Sequence, residues 1–138
     1  MRSTTHRSLC GVLGGFLIVL VSAGVTLLSV GILATPARML QAGLLATAGV
    51  LDVVAAVDTP LTDRVDWYRL SGAANVALGL ALPVGLLDWG TDTGGTVFVA
   101  VSAVGGLALA AIGVDICLYA GAHIYERPLD VPAERAAE

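Results

Sequence analysis

Three residues of this chain are costly where they stand: Asp52, Asn75 and Asp115 each sit inside a long apolar run. An aspartate at the centre of a membrane-spanning helix costs roughly 2.5–3.5 kcal/mol to insert, so such residues face a bundle interior or a water-filled cavity. At 1.5 Å per residue from the middle of each run, Asp52 lies about 7 Å, Asn75 about 5 Å and Asp115 about 7 Å toward the same side. The three are candidates for one intramembrane polar layer. Residues three or four apart share a side of a helix, which groups Gln41, Ala48 and Asp52 on one run and Ser71, Asn75 and Gly79 on the next. On the last run Asp115, Tyr119, His123 and Glu126 fall within an arc of about 80° at 100° per residue, a candidate polar stripe reaching the cytoplasm.

The stripe has two readings. As chemistry, it is a proton or cation path, with Asp115 as the titrating carboxyl and His123 as the relay at its mouth. As architecture, Asp52 and Asp115 are buried, neutral and hydrogen-bonded to Asn75 or backbone, while Tyr119, His123 and Glu126 anchor a helix end at the interface. The architectural reading is preferred, because no motif accompanies the constellation and His123 and Glu126 stand close to water.

Enzyme signatures are missing: the sequence has no phosphate-binding glycine loop, no paired histidines on a helix and no nucleophile elbow. Cys10 and Cys117 lack ligand-type spacing and are expected to pack as small apolar residues. A haem would need a partner for His123, and His6 lies in the N-terminal tail. The sequence therefore predicts no catalytic residues, no metal, no cofactor and no enzyme.

The elements that must position these residues follow from the runs. Leu9 to Ala34 is uncharged for 26 residues, too long for the apolar region of a secretory signal, and reads as a retained span. Thr35 and Pro36 break the helix, and a second span follows with Asp52 as its single interruption. So short a turn makes the first two helices an antiparallel hairpin. In the loop Asp58 to Arg69, Pro60 stops the second helix, Thr62 or Asp63 is expected to cap the third, and Trp67 and Tyr68 occupy aromatic-belt positions. Leu70 to Leu87 is an uncharged run of 18 residues, enough for about 27 Å of hydrocarbon, with Pro83 as a kink. Asp88 to Thr96 is a polar turn with Trp89 as anchor and Gly94 and Gly95 as breakers. The predicted fold is all-α: an integral membrane four-helix bundle of two antiparallel transmembrane hairpins. Its spans are about 9–34, 37–57, 70–87 and 97–124, with a short cytoplasmic tail at 126–138.

Composition agrees with that architecture. Of 138 residues 57% are hydrophobic and 13% charged, about half the charge of a soluble domain. The length allows one domain. All 7 basic residues are arginine against 11 acids, leaving no basic stripe for nucleic acid. With the N-terminus inside, six arginines (2, 7, 64, 69, 127, 135) lie on the cytoplasmic side and only Arg38 outside. That bias predicts a multi-pass cell-membrane protein with both termini cytoplasmic. Small-residue faces (Gly106, Ala110, Gly113, Cys117 and Gly121 on the last helix; Gly11, Gly14 and Gly15 on the first) join helices within one chain or between chains, and offer a route to a homodimer or larger membrane complex. A 63-residue shift aligns Gly43, Leu44, Ala48 and Asp52 with Gly106, Leu107, Ala111 and Asp115. So few matches are expected by chance in this composition.

The lysine-free acidic composition, four short helices and acidic tail resemble the small uncharacterised four-helix membrane proteins of halophilic archaea, a resemblance of layout that implies no activity. In size and helix count the chain also resembles small multidrug-resistance transporters, but it departs where they carry a first-helix glutamate: Leu9 to Ala34 holds no charge. The glycine-asparagine-arginine patterns of fluoride channels are not present. The expected role is a non-enzymatic accessory or scaffold component in the lipid bilayer, the alternative a small proton- or ion-coupled transporter or channel acting as a homodimer.

Overall fold

A computed structural model of the protein describes residues 2–27, 35–60, 62, 64–87 and 93–124. It is all-α, with four helices: α1 (Arg2–Leu27), α2 (Pro36–Ala56), α3 (Trp67–Val84) and α4 (Thr93–Tyr119). Among the described residues there is no strand. The predicted tail at 126–138, including Glu126, lies outside the described residues, as do Asp63, Trp89 and the end of the first predicted span.

Local chemistry sets the helix ends. Thr35 is the N-cap of α2, its hydroxyl accepting from the Arg38 N–H at 3.4 Å, and Pro36 takes the first helical position. There its missing N–H costs nothing and its fixed φ suits the helix. α2 stops at Ala56, four residues before Pro60. Thr62 does not cap α3; its hydroxyl closes a turn with Thr59, accepting from the Thr59 N–H at 2.8 Å. Asp66 occupies the N-cap of α3 without a side-chain capping bond. Its carboxylate instead accepts from the Tyr68 hydroxyl at 3.1 Å and pairs with Arg69 at 3.6 Å. Pro83 falls in the last turn of α3, where it ends a helix rather than kinking one. Gly94 and Gly95 are not breakers: α4 starts at Thr93 and includes them, in a first turn whose N–H groups lack intrahelical partners in any case.

Each helix packs antiparallel on the next. Gly11 meets Ala56, and Gly14 meets Gly49 and Asp52, joining α1 to α2. Gly85 lies against the Gln41 side chain, while Leu17, Ala48, Ala74 and Ala77 form a core shared by α1, α2 and α3. Gly72 faces Gly113 and Cys117, and Gly79 faces Gly106 and Ala110, joining α3 to α4. Extensive contacts run α1·α2, α2·α3 and α3·α4, and α1 and α4 share few or none. The array is thus open along the α1/α4 seam, with α2 and α3 at its centre.

Glycine permits the close approaches. A methyl at Gly113 would stand 2.6 Å from the Gly72 carbonyl oxygen and 2.8 Å from the Val76 nitrogen. The small-residue face of α4 is therefore spent inside the chain, against α3.

Among the described residues three segments are long and apolar enough to cross a membrane: Arg7–Gly24, Pro36–Ala56 and Gly95–Tyr119. Only 11% of the first and 11% of the third is buried within the protein, and Val12, Val19, Val101, Val104 and Leu118 are among the large apolar side chains pointing outward. α3 does not reach the same hydropathy; it carries Arg69, Ser71 and Asn75, and its buried residues extend from Tyr68 to Ala81. A helix walled by two neighbours can hold polar groups that an outer helix cannot.

Candidate polar cleft

The open seam forms a cleft of about 500 Å³. α1 supplies an apolar wall that includes Leu9, Leu13 and Phe16, and Ile116 of α4 faces it across the opening. The floor is polar. It holds Asp52 from α2 and Ser71 and Asn75 from α3, with Cys10 beside them and Trp67 at the α3 end. Helix geometry explains the set, since Ser71 and Asn75 are four residues apart on one face, and α2 runs antiparallel beside them.

Asp52 is 4% exposed, and its carboxyl is hydrogen-bonded by the equally buried Ser71. Ser71 Oγ also lies 3.3 Å from Cys10 Sγ. Asn75 is half-buried in the same floor. The layer expected from depth alone thus brings Asp52 and Asn75 together. Asp115 does not line the cleft, although the next residue, Ile116, does.

Asp115 belongs to a separate site at the end of α4. The expected stripe required the helix to continue, and it does not: α4 ends at Tyr119, followed by Ala120 at φ 52° and Gly121 at φ 74°. These left-handed residues fold the chain back, and the Gly121 N–H donates to the Asp115 carbonyl at 3.3 Å. His123 returns over the helix end. Its Nδ1 stands 2.5 Å from Asp115 Oδ1, and its ring meets that of Tyr119 edge-on at 5.1 Å. Asp115 Oδ2 is buried with no hydrogen-bond partner among the described residues. Asp115, Tyr119 and His123 do cluster, but through a hook rather than along one helical face.

Polar contacts of Cys10 and Arg7 escaped the sequence reading. Cys10, expected to be a plain apolar filler, touches Ser71; its side of α1 faces α3, which no local pattern shows. Arg7 donates to Asp58 Oδ1 at 2.6 Å and to the Ala55 carbonyl at 3.3 Å, clasping the start of α1 to the end of α2. The antiparallel hairpin made that pairing accessible in principle. Tyr68, expected in an aromatic belt, is buried against Ile116 and Ala120. No group of three or more metal-binding side chains occurs among the described residues.

A model for a family of unknown function (DUF7994) matches residues 5–130. No curated protein and no solved structure matches the chain.

Proposed function

The chain belongs to this DUF7994 family, and from its own geometry we propose that it is a four-span integral membrane protein. Both termini are cytoplasmic, and it serves as a non-enzymatic accessory or scaffold component of a membrane assembly. One observation carries this reading: α1 and α4 turn large apolar side chains outward along most of their length. Water would not tolerate so continuous an apolar girdle, whereas lipid or a partner's helix would. α3 supports four crossings rather than three, since it lies antiparallel between two helices that are each long enough to span. The arginine count sets the orientation. The polar groups, meanwhile, are largely engaged with one another, Arg7 with Asp58 and Asp115 with His123.

Purification from native membranes tests the accessory role. A stoichiometric partner supports it, and a lone homodimer counts against it. Reporter fusions after Glu138 and within the Asp88 to Thr96 turn test the orientation. A C-terminal reporter active outside the cell defeats the four-span arrangement.

A small proton- or ion-coupled transporter or channel acting as a homodimer is the second reading, favoured by the buried Oδ2 of Asp115, which has no hydrogen-bond partner among the described residues. It predicts pH-dependent flux in proteoliposomes of the purified chain.

A further inference from the structure

We propose that the cleft between α1 and α4 is a binding site for an amphiphile with a primary ammonium head and an apolar body. The proposal rests on the membrane reading above, because the cleft opens along the seam between two outward-facing apolar helices. Its volume of about 500 Å³ lies within the usual range of small-molecule sites.

The lining selects the chemistry. Among the described residues Asp52 is the one charged side chain that lines the cleft, and no basic residue lines it. The nearest arginines in sequence are committed elsewhere, Arg7 to Asp58 and Arg69 to Asp66. A primary ammonium has three N–H donors. The floor offers three acceptors: the Asp52 carboxylate, the Ser71 hydroxyl and the Asn75 amide oxygen. An anion would meet the Asp52 charge with nothing to offset it, and a plain hydrocarbon would leave a polar floor unpaired. Trp67 at the α3 end adds an aromatic surface of the kind that attracts cations. Leu9, Leu13, Phe16 and Ile116 then cover the apolar body. Each of these helix segments is at the same end of the array, which the arginine count puts on the cytoplasmic side.

The test uses the full chain in phosphatidylcholine nanodiscs, with phenylbutylamine as probe, phenylbutanol as neutral control, and protein-free discs as blank for calorimetry. The amine should bind saturably at one site per chain, at least about tenfold more tightly than the alcohol, as expected for a desolvated charge pair. Asp52→Asn keeps shape and hydrogen bonding but removes the charge, and should weaken amine binding at least about tenfold. Leu13→Trp fills the cleft from its exposed wall and should abolish binding; it decides the matter if Asp52→Asn does not fold. Partial replacement of phosphatidylcholine by phosphatidylethanolamine separates the two sources of such a head. Weakened probe binding identifies a lipid headgroup as occupant, and unchanged binding identifies a free amine. Absence of saturable binding, equal affinity for amine and alcohol, or wild-type affinity in the folded variants overturns the proposal. Release of the protein from membranes by an alkaline carbonate wash would instead defeat the membrane reading.

Discussion

His123 Nδ1 sits 2.5 Å from Asp115 Oδ1 although eight residues separate them. On one continuous helix their Cα atoms would be about 12 Å apart along the axis, beyond the joint reach of the two side chains. The contact exists because α4 ends at Tyr119 and the chain turns back through two left-handed residues. Asp115 is the foot of this hook twice over, accepting from Gly121 through its carbonyl and meeting His123 through its carboxyl.

The hook predicts an asymmetry between neighbouring substitutions. Gly121→Ala places a Cβ at φ 74° and should cost about 1–2 kcal/mol, seen as a melting temperature lower by several degrees in detergent. Ala120→Gly relieves the same kind of strain at φ 52°. It also removes a methyl packed near Tyr68 and Ile116, worth about 0.8 kcal/mol. The two effects nearly cancel, and this variant should melt close to wild type. Equal melting of the two variants would mean that the turn is not held in this conformation.

The α3–α4 seam gives a second contrast on one helix. Gly113→Ala forces a methyl against the backbone of Gly72 and Val76 and should destabilise by about 1–3 kcal/mol. Gly105→Ala, where nothing lies within 4 Å of the added Cβ, should be neutral or stabilise by up to about 1 kcal/mol through helix propensity. Thermal melting of both variants checks this. A destabilised Gly105→Ala would mean that this face is covered, which in turn would point to a second chain there.

Four helices, their antiparallel order and the placing of Asp52 and Asn75 at a similar depth were legible because each rests on local signals: uncharged runs, a proline at Pro36, and four-residue spacing. The end of α4 was not. Ala120 gives no sign of a left-handed conformation, and an apolar run to Ile124 looks the same whether it continues as helix or folds back. The cleft was also hidden. It depends on how little α1 and α4 touch, a property of packing between the first and last helices that no pattern along the chain records. The use of the α4 glycines against α3 rather than another chain depends on the same packing.

Arg7 tests the first hairpin. Its guanidinium is mostly buried and bonded to the Ala55 carbonyl as well as to Asp58, whose own side chain is 89% exposed. The ion pair is therefore weak, and a double-mutant cycle of Arg7→Gln and Asp58→Asn should give a coupling of roughly 0.2–1 kcal/mol that shrinks with added salt. Arg7→Gln alone should cost more than Asp58→Asn, because it also frees a backbone acceptor. A cycle read by melting that puts the coupling well above this range would show the pair to be shielded from solvent.

Asp115 decides between the two functional readings, and the hook sharpens what its variants should do. Oδ1 is matched to His123, but His123 is 69% exposed and can turn to water, so losing that contact costs little. Oδ2 is buried without a partner among the described residues, and an unsatisfied buried acceptor itself costs about 1–3 kcal/mol. Asp115→Leu removes both oxygens at once. If the carboxyl is there only for architecture, removing it should lower stability; from the balance of these two terms we expect instead that the leucine variant melts no lower than wild type. Asp115→Asn keeps an acceptor for His123 and should also melt normally. Proteoliposomes of the wild type and the asparagine variant then separate the readings: pH-dependent flux lost in Asp115→Asn supports coupling, and absence of flux in both leaves the accessory role. A leucine variant that melts far below wild type would contradict the balance and make Asp115 a structural anchor of the α4 end.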